Sequence, residues 1–90
     1  MPQAVADPVQ LRRFAHQLKQ FNQELTSRLM VLQGQLANLS DTWRDQEHEK
    51  FATAFSETKI MLERFIETAE QHIPFLVRKA ERIEEYLSQR

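Results

Sequence analysis

The side chains best suited to bind a metal or move a proton are three histidines, His16, His48 and His72, in a chain of 90 residues without cysteine. A metal site built on helices needs its ligands on one face, as Glu-x-x-His pairs or as two histidines four residues apart. No two of these histidines have that spacing. Arg13 stands three residues before His16 and Ala69 three before His72, so only Asp45 precedes His48 correctly. The spacing therefore predicts packing or solvent positions for all three, and no metal site. Nucleophilic chemistry is no better supplied: there is no glycine-rich phosphate loop, no thiol and no Ser-His-acid arrangement that a loop presents. Glu81, Glu84 and Glu85 alternate with Lys79 and Arg82, the pattern of a solvated helix face. The chain reads as a non-enzyme with no catalytic residues and no cofactor.

Charge excludes further partners. The formal net charge is −1 with acids and bases interspersed, and Arg12-Arg13 and Arg78-Lys79 are basic pairs too short for a phosphate track. Nucleic acid is not an expected partner. No apolar run approaches the length of a membrane span, so membrane insertion is not expected. Met1-Pro2-Gln3-Ala4-Val5-Ala6 has neither a basic region nor a long apolar core, which argues against a cleavable signal peptide. The chain is expected in the cytoplasm when synthesised, and any secretion would use a route that reads no such signal.

The elements that must position these residues are two long helices. Asp7-Pro8 is a strong helix start, an acceptor at the cap followed by proline at the first helical position. Leu11, Leu18, Leu25, Leu32 and Leu39 recur every seven residues, accompanied by Phe14 and Phe21 three residues on and then by Leu29 and Leu36 four residues on. This predicts helix one over about 8–39, with Gly34, the only glycine, near its end. A second column runs His48, Phe55, Leu62, Ala69, Leu76, Ile83. Its companions are Phe51, Thr58 and Phe65, then Ile66, Ile73, Ala80 and Leu87. Thr42 with Asp45 three residues later resembles a capping box, which places the turn at 40–42 and helix two over about 43–87, kinked near Pro74.

Matched helices joined by a short turn form an antiparallel hairpin, but two helices cannot enclose their own apolar stripes. Val9, Met30, Val31, Ile60, Met61, Phe75 and Val77 lie off the main stripe and read as a second face that docks another hairpin. The expected fold is therefore all-α: a single hairpin domain spanning 1–90 that dimerises into a four-helix bundle. Leu18, Leu25, Leu32, Phe51, Phe55, Leu62 and Phe75 are the candidate interface residues. Phe75, beside the Pro74 kink, fits either a structural adjustment or a docking notch.

Trp43, the only tryptophan, sits in Ser40-Asp41-Thr42-Trp43-Arg44-Asp45, the polar gap between the two stretches. A large ring there is either a plug over the end of the bundle or an anchor that a partner reads. The stretch Leu36-Ala37-Asn38-Leu39-Ser40-Asp41-Thr42-Trp43, followed by Phe51-Ala52 and Phe55, resembles the WXG proteins, small early-secreted-antigen type substrates of type VII secretion systems. In that family a glycine follows the tryptophan after one intervening residue. Here Asp45 holds that position, and it is expected to accept backbone N–H bonds at the helix start. Many members also carry a tyrosine and, four positions on, an acidic residue in a tail that the secretion machinery reads. Tyr86 is followed at that spacing by Arg90, where the sequence ends, so an export signal would come from a partner or from another surface. The resemblance implies a small export substrate or adaptor, either a homodimer or a heterodimer with a related hairpin, engaged by a secretion ATPase near Trp43 and the end of helix two. The reading from a different class is a cytoplasmic scaffold or chaperone-like binder that is never exported.

Overall fold

The computed structural model describes residues 6–89, in which two helices, α1 (Pro8–Leu39) and α2 (Gln46–Ser88), form an extended antiparallel hairpin without strands. Met1–Val5, read above as lacking a signal core, and Arg90 lie outside the described residues. The hairpin measures 67 × 19 × 16 Å, a rod whose length matches that of its longer helix, 43 residues at about 1.5 Å each. Among the described residues no helix is long and apolar enough to cross a membrane.

Each helix starts at an aspartate. Asp7 Oδ1 accepts the Val9 N–H at 2.9 Å, with Pro8 in the first turn. Asp45 Oδ1 accepts the His48 N–H at 3.0 Å, so α2 begins at Gln46. The start predicted at Trp43 is thus three residues early. Thr42 is no cap: its hydroxyl donates back to the Leu39 carbonyl at 3.3 Å, leaving the β-region Asp45 to cap α2. Pro74 lacks the N–H that would meet the Glu70 carbonyl, yet α2 runs through it uninterrupted.

The helices meet along a narrow seam. Its buried residues are Ala15, Asn22 and Leu29 from α1 and Ile66, Ala69 and Ala80 from α2. Ala15 and Asn22 take the places expected of Phe14 and Phe21, whose rings are instead half exposed, at 58% and 52%. In α2 the expected companions Phe51, Thr58 and Phe65 are likewise exposed, whereas Ile66 and Ala80, also expected inward, are buried. A two-helix seam has room for alanines that let the backbones approach, whereas a phenylalanine would wedge them apart. Heptad spacing then carries all the displaced rings to the same flank.

Asn22 is the one polar residue among these, 1% exposed. Its amide nitrogen lies 3.5 Å from the Ile66 carbonyl, a long contact, and its buried Oδ1 has no partner among the described residues. A lone buried amide facing one carbonyl costs stability but penalises any sliding of one helix past the other. At the open end, Arg12 donates to Glu84 at 2.6 Å, which joins the two ends of the chain. Those hydrogen bonds hold the Glu84 carboxyl below the usual carboxylate range. The stability they add is therefore present above that range and fades as pH falls through the lowered value.

Gly34 sits within α1, and a Cβ placed on it would meet nothing within 4 Å. Gly34→Ala should therefore raise stability by about 1 kcal/mol through helix propensity alone. Urea unfolding would register this, and a loss instead would show that another molecule occupies that open space.

Candidate interaction site at the turn and along one face

The turn is built without glycine. Residues 6–89 contain no positive φ, and Asp45 is extended at φ −93°, ψ −176°. The carbonyls left open at the end of α1 are closed one after another. Ser40 N–H donates to Leu36 at 3.0 Å, Asp41 to Asn38 at 3.2 Å, and Trp43 to Leu39 at 2.9 Å. The Arg44 side chain adds a donor to the Ser40 carbonyl at 3.2 Å. A glycine at position 45 is not needed because the backbone there is one that any residue adopts, and aspartate contributes a cap that glycine lacks. Asp45→Ala should cost about 1 kcal/mol and Asp45→Gly only a few tenths, read from urea midpoints. Equal losses would show that the carboxylate has another role.

Trp43 is partly buried and meets the His48 ring edge to face, with centroids 5.0 Å apart. His48 Nε2 lies 2.7 Å from Ser40 Oγ, whose own proton goes to the Leu36 carbonyl at 2.9 Å. The imidazole N–H therefore donates to Ser40. His48 ties the tryptophan to the last turn of α1, a link across the turn that sequence reasoning missed. The signal was available, since residue 48 falls in the apolar column of α2 directly after the turn. The pair is a structural clasp: the Ser40 hydroxyl is already committed to a carbonyl and is not poised as a nucleophile. His16 is exposed, and His72 Nδ1 donates to the Thr68 carbonyl at 2.9 Å. Among the described residues no group of three or more His, Cys, Asp or Glu is placed to hold a metal.

The second feature is a face. Phe21 and Phe65 meet edge to face at 6.4 Å across the helices, and helical spacing puts Phe14, Leu32 and Leu39 on the same flank of α1 and Phe51 on that of α2. All six are between 48% and 58% exposed. On α1 this face runs about 38 Å, from Phe14 to Leu39. Of the candidate interface residues, Leu32 and Phe51 lie on it. Leu18, Leu25, Phe55 and Leu62 are half buried between the helices, and Phe75, 60% exposed, points away from it. The off-stripe residues Val9, Met30, Val31, Ile60 and Met61 are exposed but spread around the rod, and Val77 is half buried. They do not compose the second face expected of them; at about 100° per residue their numbers fall in several directions. The phenylalanines displaced from the seam compose it instead.

A helical hairpin with one long apolar face and a tryptophan held in its turn is the architecture that the sequence resemblance implies. No curated protein and no solved structure matches the chain. A family model does match, WXG100, described as proteins of 100 residues with WXG, and it spans residues 4–86. The chain belongs to the WXG100 family, with Asp45 standing where the family motif has glycine.

Proposed function

We propose that this hairpin is a non-enzymatic export substrate or adaptor of a type VII secretion system, and that it works as a dimer whose apolar faces meet in a four-helix bundle. The observation that carries the reading is the uncovered face from Phe14 to Leu39 and from Phe51 to Phe65. The chain exposes 7479 Å², against about 5,500 Å² for a compact chain of its mass. The excess is about the area that an obligate partner covers. Family membership supports the secretion role, and a second copy is the simplest partner that offers a matching face.

Light scattering across a dilution series tests the assembly. A stable dimer supports self-complementarity, whereas a monomer or a partly unfolded chain points to a heterodimer with a related hairpin. Export is tested by comparing culture filtrates of cells with and without the secretion ATPase. Protein that appears in the filtrate only when the ATPase is present supports the reading. Retention in the cell in both cases sinks it and leaves the scaffold or chaperone-like role.

A further inference from the structure

The C-terminal half of α2 is sorted by charge. Glu63, Glu67 and Glu70 line an open groove with Thr26, Met30 and Gln33 of α1, and Glu81 and Glu85 continue that flank by helical spacing, with Glu84 at its edge. The other flank carries Arg64, His72, Phe75, Lys79, Arg82 and Tyr86, at steps of three or four residues once Thr68 is included. No acid interrupts it. All six side chains are exposed, and Arg78 beside them lies over the Phe75 ring at 5.2 Å. None of these cations pairs with a carboxylate of the described residues; the ion pairs are Arg12–Glu84, Lys50–Glu47 and Lys59–Glu63. By seven-residue spacing His72, Lys79 and Tyr86 continue the column of Phe51 and Phe65 toward the C-terminus, with Arg64, Phe75 and Arg82 beside them, and none of the six is buried in the seam.

We propose that this cationic, aromatic-interleaved stripe is a docking surface for an acidic helical segment of a different protein. From Arg64 to Tyr86 it runs about 33 Å, the length of roughly six helical turns. Guanidinium groups of Arg64, Arg78 and Arg82 match planar carboxylates in a fork geometry. Phe75, held under Arg78, and Tyr86 supply flat anchors on either side of Arg78, Lys79 and Arg82. Two aromatics eleven residues apart give too little apolar surface to enter a bilayer. The cations are also fewer than the roughly six to ten phosphate contacts of a strong nucleic-acid binder. An acidic helix with carboxylates three and four residues apart meets the stripe at its own period. This surface adjoins the C-terminal end of the apolar face, so the solution mass of each variant is measured beside its binding.

The test is fluorescence anisotropy of the full chain with a labelled synthetic amphipathic helix of about 20 residues, long enough to hold helical structure and bearing glutamates at helical spacing. Phosphatidylcholine–phosphatidylglycerol vesicles and duplex DNA serve as competing probes. The expected result is binding at low salt that weakens toward physiological salt. Arg78→Glu with Arg82→Glu should weaken it about tenfold or more, as two exposed ion pairs turn repulsive. Phe75→Ala should weaken it about threefold, and Lys59→Glu on the opposite flank should leave it unchanged. If the double reversal perturbs folding by circular dichroism, Arg78→Gln with Arg82→Gln carries the test, with a loss of several-fold expected. No binding of the peptide, binding indifferent to these variants, or tighter binding to the vesicles or the DNA would overturn the proposal. An unchanged solution mass in the variants keeps this result separate from self-association.

Discussion

Phe21→Glu combined with Phe65→Glu should turn a dimer of this chain into a monomer at micromolar concentration. The two rings are 52% and 48% exposed in the hairpin, so each has about 100 Å² left to cover in an assembly. At about 25 cal/mol per Å², covering one ring is worth about 2.5 kcal/mol. Four rings contribute in a symmetric pair, which sums to about 10 kcal/mol, more than the roughly 8 kcal/mol that separates a micromolar dimer from its monomers. Added charges at the centre of the face then lose their hydration with no partner. The hairpin should lose far less, because its seam is made by Ala15, Asn22, Leu29, Ile66, Ala69 and Ala80; only the Phe21–Phe65 contact goes, worth about 1 kcal/mol. Sedimentation velocity with circular dichroism separates the two effects. A variant that remains dimeric and helical would place the interface elsewhere on the rod.

Asn22→Asp should make the hairpin's stability strongly dependent on pH. The site is 1% exposed and faces a backbone carbonyl, which accepts and does not donate. A protonated carboxyl fits there by donating to Ile66, whereas a carboxylate would be buried against a carbonyl dipole. Desolvation therefore raises the folded-state pKa above the unfolded value of about 3.9. Below that value both states hold the proton and nothing is lost. As pH rises through the interval to the raised folded value, the unfolded chain ionises first and stability drops by about 1.4 kcal/mol per unit. A shift of about three units costs about 4 kcal/mol at neutral pH, a large part of what a domain of this size possesses. Asn22→Ala is the control: it removes the unpartnered Oδ1 and loses only a long contact, so it should stay within about 1 kcal/mol of the parent. Urea midpoints of parent and variants at pH 4 and pH 7 read the difference. A gap between Asn22→Asp and the parent that does not change with pH would show that water reaches the seam.

Much of this architecture can be read without coordinates. Asp7-Pro8 marks the start of α1 because capping is local chemistry, and the seven-residue recurrence of leucines marks the helix that follows because periodicity is a property of one strand of sequence. The Trp43 segment leads to the family for a similar reason: the match with WXG100 is a match of residue types at set spacings. Asp45 was legible as an acceptor, but which of Thr42 and Asp45 caps α2 depends on backbone angles that neither residue specifies alone.

The choice between adjacent positions was decided only by tertiary packing. Residues 14 and 15, 21 and 22, or 65 and 66 are about 100° apart on a helix, and hydrophobicity favours the phenylalanine at two of these three pairs. The structure prefers Ala15 and Asn22 because small groups let the two helices approach closely at those levels. The same decision turns Phe14, Phe21 and Phe65 into an outer face and leaves Ser40, Trp43 and His48 clasped at the turn. Local sequence determined that there are two helices, where α1 caps and which family they belong to. Their relative rotation determined which residues became seam and which remained for partners, since rotation is a property of the pair and is written in neither helix separately.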